Sequence, residues 1–115
     1  MLAREHRLRA AADIARVYKR GAYGSSGGAL SAKATQSGRA QTRAVVVVGK
    51  KVSKRAVVRN RIRRRLISLL SGLWETVSPG YDIVVSVHAD ISELPSTALS
   101  EHLIRALTRA GVTKS

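Results

Sequence analysis

Cysteine and phenylalanine are absent from this chain of 115 residues, and acidic residues are scarce. Without cysteine there are no disulfides and no thiolate metal sites, and nothing marks the redox compartment. Three Tyr and one Trp are the whole aromatic complement, so stacking on bases can contribute only modestly. The seven Asp and Glu are scattered; Asp82 and Asp90 bracket one strand, but no acid–base pair stands out. His6, His88 and His102 lie at unrelated spacings, and no His, Asp or Glu grouping has the spacing of metal ligands. No apolar run approaches the ~18 residues of a membrane span. The segment MLAREHRLRAAADIARVYKRG has no apolar signal core. It is Arg-rich in the manner of a transit peptide, but Asp13 and an apolar stripe argue for a folded helix.

What the chain has in abundance is positive charge. Lys and Arg total 21 against 7 acids, a formal net charge of +14. From Ile14 to Trp74 there are fifteen basic residues and no acidic one. Such a one-signed field points to nucleic acid as partner. It peaks between Lys50 and Leu70, KKVSKRAVVRNRIRRRLISLL, where Lys50, Lys51, Lys54, Arg55, Arg59, Arg61, Arg63, Arg64 and Arg65 fall within sixteen residues. Val58, Ile62, Leu66, Leu69 or Leu70, and Leu73 step by three or four, the spacing of one helix face. Asn60, Arg61, Arg64 and Ser68 then occupy the opposite side. Arg63 lies at the edge, and Arg59 falls beside the apolar arc and must reach past the first turn. A solvated helix intersperses both signs so that pairs at i,i+4 offset repulsion. This one stacks like charges with no carboxylate in reach, which favours a phosphate-binding surface of guanidinium forks over a solvated face.

The length suits one domain, residues 1–115, with a modest core. In order, residues 9–20 predict a helix with Ile14, Val17 and Tyr18 on one face and Gly21 as its stop. Gly21 to Gly28 reads as a loop, Ala29 to Ala34 as a weak strand, and Gln36 to Gln41 as a turn. Arg43 to Gly49 is a strand by its β-branched content, and four consecutive valines suggest that both faces are covered. The basic helix follows over about 54–75, capped by Ser53. Ser78-Pro79-Gly80 is a turn, and Ile83 to Val87 is a second buried strand. A last helix over about 95–110 begins with Pro95 in its first turn and ends at Gly111, with Leu99, Leu103, Ile104 and Leu107 as its buried stripe. The order α-β-β-α-β-α predicts a small single-domain α+β protein, an α-β sandwich in which the basic helix crosses between two central strands.

Two phosphate-binding motifs fail on inspection. Val48-Gly49-Lys50-Lys51 lacks the first glycine of a P-loop, which would fall at Ala44, and Lys51 stands where a Mg²⁺-binding Ser or Thr is needed. The Gly21/Gly24/Gly27/Gly28 stretch follows a helix rather than a strand, which removes the dinucleotide reading. No protein-only active site is visible.

Val48-Gly49-Lys50-Lys51-Val52 followed by Ala56-Val57-Val58-Arg59-Asn60-Arg61-Ile62-Arg63-Arg64 resembles the signature of the bacterial ribonuclease P protein subunit. Arg7-Leu8, then Asp13-Ile14-x-x-Val17-Tyr18-x-x-Gly21, is similar to that family's first helix, and Gly80-Tyr81-Asp82-Ile83-Val84-Val85 to its last strand. The resemblance implies a small basic subunit, inactive alone, of a ribonucleoprotein endonuclease. Its catalytic RNA, using Mg²⁺, hydrolyses a phosphodiester to remove the 5′ leader of precursor tRNA. It also implies a left-handed β-α-β crossover, against the usual right-handed rule, and a cytoplasmic setting. Carried over, Arg59, Asn60, Arg61, Arg63 and Arg64 would face the catalytic RNA, with Lys50 and Lys51 at the helix entrance and Lys54, Arg55 and Arg65 extending the RNA-binding run. Ile14 and Tyr18 would line a cleft for the precursor leader, with Val46 and Val48 on its sheet wall. The chain departs from the family pattern where Ile14 replaces an aromatic, where Ser31 falls near another, and where His88 follows the last strand. The expected partners are ribonuclease P RNA and precursor tRNA, with no membrane and no small-molecule substrate. A ribosomal or architectural RNA-binding protein fits charge and size equally well, and only the ordered motif separates it. A membrane-surface or calmodulin-type basic helix would not need two valine-rich strands and three other apolar faces.

Overall fold

A computed structural model describes residues 2–114. The main elements are α1 (Ala11–Arg20), β1 (Ala22–Ser25), β2 (Leu30–Gln36), β3 (Arg43–Val48), α2 (Ala56–Gly72), β4 (Tyr81–Val87) and α3 (Ser96–Arg109). Single 3-10 turns at Arg4–His6 and Trp74–Thr76 precede α1 and β4. The order is the expected one with one strand added. β1 was hidden because Ala-Tyr-Gly-Ser carries no β-branched residue. Pairing makes the strand instead: Ala22 to Ser25 run antiparallel to Ala34 to Ser31. Gly24 serves close approach rather than loop freedom, since a Cβ there would meet the Ala106 carbonyl oxygen and the Ala110 nitrogen, each at 2.3 Å.

The sheet order is β1-β2-β4-β3, antiparallel except for the β3–β4 pair. Parallel neighbours need a crossover, and α2 supplies it across one face. α3 joins α2 on that face, while α1 lies alone on the other. β4, in the middle, is buried on both sides: Ile83 and Val85 belong to the larger core, and Val84 to a smaller cluster with Leu8 and Val17.

β3 departs from the four-valine expectation. Val46 and Val48 are buried under α2, Val45 is half-buried, and Val47 is 36% exposed. With ten residues α1 is only about 15 Å long, and it packs across β2 and β4 without covering the Val47 end of the edge strand. On α2 the apolar arc falls as predicted, with Ile62, Leu66 and Leu70 fully buried. Its start differs: Arg55 is the N-cap residue without a side-chain cap, and Ser53 instead accepts a hydrogen bond from the Arg55 amide at 3.2 Å. On α3 the buried stripe is Leu99, Leu103, Ala106 and Leu107, while Ile104 is 43% exposed. The small Ala106, beside Ala110, lets the helix sit against Gly24. Both α1 and α3 stop at the predicted glycines, but only Gly111 uses the left-handed region, at φ 82°.

Core and surface on α2 should separate cleanly. Leu66→Ala is expected to cost ~2–5 kcal/mol of folding stability, whereas Arg64→Ala should leave the melting temperature unchanged or slightly raised by relief of repulsion. Thermal melts of the two variants check this, and equal losses would contradict the orientation of the helix.

Candidate nucleic-acid interface

The outer face of α2 and the turn leading into it gather most of the predicted cations. Lys50, Lys51, Lys54, Arg55, Asn60, Arg61 and Arg64 are exposed, and Arg59, Arg63 and Arg65 are half-buried. Arg59, expected to reach out past the first turn, instead turns back and donates from Nη1 to the Ser53 carbonyl at 2.9 Å. Arg63 donates to the side-chain oxygen of Asn60 one turn earlier. Among the described residues one carboxylate approaches this face: Glu93, from the loop before α3, sits 4.0 Å from Arg61. Both partners are largely exposed, so the pair is weak.

Arg65 has another employment. Its Nη1 and Nη2 donate to the carbonyls of Ser92 and Leu94 at 2.8 and 2.6 Å, clasping the loop between β4 and α3. Three consecutive arginines spread over ~200° of a helix, so the one at position 65 falls on the side of a neighbouring loop. Asp90 stiffens the same loop by accepting from the Ser92 hydroxyl and amide, and these two bonds hold its carboxyl below the ordinary carboxylate range.

The opposite face of the sheet is organised around α1. Strand periodicity places Tyr23, Lys33, Val84 and Val45 in one row and Ser25, Ser31, Ser86 and Val47 in the next. Tyr18 is 43% exposed at the margin of this surface, with Lys33 Nζ 6.0 Å from its ring centre and donating to its carbonyl at 2.9 Å. Tyr23 is 58% exposed, and Ser31 Oγ meets His88 Nε2 at 2.7 Å. Ile14 is half-buried against Leu8, Val17 and Val84. Val46 and Val48, expected on the wall beside Ile14 and Tyr18, point the other way, into the core beneath α2. Side chains alternate along a strand, so an error of one residue exchanges the faces. The residues on this wall are Val45 and Val47. A uniform valine run gives no parity of its own; β2, where Ser31, Lys33 and Thr35 alternate with buried alanines, carried the signal.

A polar network went unnoticed in the sequence. Arg43 Nε and Nη2 grip Asp82 at 2.9 and 2.7 Å, in a bidentate pair whose carboxylate side chain is 1% exposed. Arg43 Nη2 also reaches Asp13 at 3.2 Å, and Asp13 is paired with Arg16 on α1. The hydrogen bond to Asp82 raises the pKa of Arg43 despite its partial burial. Burial pushes the Asp13 carboxyl up, but the hydrogen bond and charge of Arg43, then those of Arg16, outweigh it and hold it below the usual range. Among the described residues no three His, Asp or Glu side chains gather as metal ligands. No helix in the described residues is long and apolar enough to cross a membrane.

Fold and surface thus define a small α+β sandwich with a strongly basic crossover helix. The family model described as Ribonuclease P matches residues 2–111, and the chain belongs to that family. It is 36% identical over 110 residues to the ribonuclease P protein component of Clavibacter michiganensis subsp. michiganensis, with 96% of each chain covered. It is 39% identical over 114 residues to that of Pseudanabaena sp., with 97% of each covered. The fold is shared with the RNase P protein of Staphylococcus aureus at a TM-score of 0.82 and 22% identity, covering 95% of this chain and 98% of the other.

The Asp13 link has a signed pH dependence. A carboxyl whose folded pKa is depressed contributes its full stability above the unfolded value of ~3.9 and loses it as pH falls through the folded value. Asp13→Asn should therefore lower the melting temperature at neutral pH, and the gap from the parent chain should close as the pH is taken below about 4. Melting curves across an acid series read this directly.

Proposed function

We propose that this chain is the protein component of a ribonuclease P ribonucleoprotein and acts in 5′ maturation of tRNA. α2 binds the catalytic RNA, the α1 face of the sheet holds the single-stranded leader of precursor tRNA, and the RNA, with Mg²⁺, hydrolyses the phosphodiester. The observation that carries this reading is the outer face of α2: a row of exposed cations met, among the described residues, by a single, distant carboxylate. Such a surface is repulsive in isolation and complementary to a phosphate backbone. Arg61 and Arg64 offer planar forks to phosphate oxygens, and Lys50, Lys51 and Lys54 add point charges at the helix entrance. Arg59 and Arg63, each held by one hydrogen bond, keep further N–H donors for the same purpose. Arg65 contributes by holding the loop behind the helix. Cytoplasmic residence belongs to the same reading.

Purified protein should not cut precursor tRNA, and adding a bacterial ribonuclease P RNA should give cleavage at the mature 5′ end in low Mg²⁺. If about six to eight cations meet phosphates, log K for that RNA should fall with log[salt] at a slope of about −5 to −7. Arg61→Ala and Arg64→Ala should each flatten the slope by about one unit. Cleavage by RNA-free protein, or slopes indifferent to both substitutions, would overturn the assignment.

The leader surface rests on Tyr18, whose exposed ring can stack on an unpaired base, worth ~1–3 kcal/mol and tolerant of base identity. Lys33 beside it supplies a cation for the leader backbone, and Val45 and Val47 replace Val46 and Val48 as the sheet wall. In the assembled holoenzyme Tyr18→Ala should weaken binding of precursor with a leader of several nucleotides while sparing mature tRNA. Equal loss for both substrates would place Tyr18 in the packing of α1 instead. Ile14, already packed in the small core, should show mainly a stability loss on change to Ala.

A further inference from the structure

A second recess lies around the β3 edge from the basic helix. The N-terminal segment runs alongside that edge: the Leu8 amide donates to the Ala44 carbonyl at 3.0 Å, and Arg7 bridges Ala44 in parallel. Between this segment, β3 and the second half of α2 is a cavity of about 410 Å³. Its lining joins the apolar Leu2, Leu8, Val46 and Ile67 to three arginines, Arg7, Arg9 and Arg63. Among the described residues no carboxylate lines it.

Two of the three cations are already positioned. Arg7 Nε donates to the Leu2 carbonyl at 3.0 Å, and Arg63 donates to Asn60. Each fork therefore has one donor anchored in protein and others left for a ligand. The volume falls within the range of small-ligand sites. An apolar lining alone would accept any greasy group, but three arginines within it favour an apolar body that carries anionic oxygens beside it. A nucleotide has that form. A paired base does not expose its faces, so the occupant must be unpaired and turned out of its helix.

We propose that this slot receives one unpaired nucleotide of the RNA bound by α2, with its base against Leu8, Val46 and Ile67 and its phosphates against Arg7, Arg9 and Arg63. The inference rests on the RNA-binding reading of α2, because Arg63 belongs both to that face and to the lining of the slot. It extends the contact from a backbone-reading helix to a pocket that senses RNA structure. A phosphate-tracking face alone binds any duplex, whereas an extruded base occurs only at particular places in a folded RNA.

Two measurements test it. In the complex with a bacterial ribonuclease P RNA, Ile67→Trp fills the slot from α2, and Arg9→Ala removes an exposed rim cation without touching the core. Each should weaken affinity about tenfold or somewhat less, up to ~1.4 kcal/mol. In the free protein, uridine 5′-monophosphate should shift the methyl resonances of Leu2, Leu8, Val46 and Ile67 saturably, and glycerol phosphate, which lacks a base, should not. If the mononucleotide leaves those methyls unmoved, or glycerol phosphate moves them equally, while Arg61→Ala still flattens the salt slope, the slot is refuted and the α2 reading stands. A parent chain that binds no RNA would overturn both.

Discussion

The bidentate Arg43–Asp82 pair is the point on which the arrangement of layers depends. It sits where β3 and β4 begin side by side in parallel register, and Asp13 of α1 closes on the same guanidinium. Two strands and the helix on the sheet's lone face are thereby tied at one end. A charge buried to this degree is strongly unfavourable unless it is matched, so removing one partner costs more than the pair itself contributes. The pair is thus weak evidence for net stability, and its geometric demand falls on the register of the strands. Sliding β3 by one residue against β4 would strand Asp82 without its fork and turn Val46 and Val48 out of the core.

With the sheet so fixed, α2 has to satisfy two opposed demands. Its inner arc of Ile62, Leu66 and Leu70 is fully buried, and that burial is what keeps it a helix. Its outer face works against it. The first turn holds no acidic residue and has no side-chain cap, although the positive end of the helix dipole favours negative charge there. Lys54 and Arg55 stand at that end instead. Helix and sheet core carry this electrostatic load in the free protein, and a polyanion would relieve it.

The gross architecture was legible because periodicity encodes burial. The apolar arc of α2, the doubly buried β4 and the glycine stops at 21 and 111 could all be read from spacing. What escaped depended on partners. β1 exists only through pairing with β2, and the parity of β3 is set by neighbours across the sheet. Arg65 looked like one more cation in a basic run, and nothing local reveals the two carbonyls, 27 and 29 residues away, that occupy it. The Arg43–Asp82 pair joins residues 39 apart, beyond any motif. Ile104 failed for a related reason: α3 buries Ala106 against the sheet, and small residues at the contact turn a larger neighbour outward.

The layer order also constrains how the two proposed binding surfaces can act together. α2 and its cations lie on one face of the sheet, and Tyr18, Lys33 and Val47 lie on the other. The body measures 36 × 29 × 25 Å, so the two surfaces proposed to meet RNA are held apart by a sheet packed on both faces. Charge on α2 cannot reach the Tyr18 face effectively, since the separation is comparable with or greater than the ~8 Å screening length at physiological salt. Substitutions on the two faces share no contacts and should behave independently. On the proposed function, a chain with few aromatics tolerates weak stacking on the leader, because α2 already anchors it to the catalytic RNA. The second contact is then made within an assembled complex, where effective concentration rather than intrinsic affinity governs occupancy.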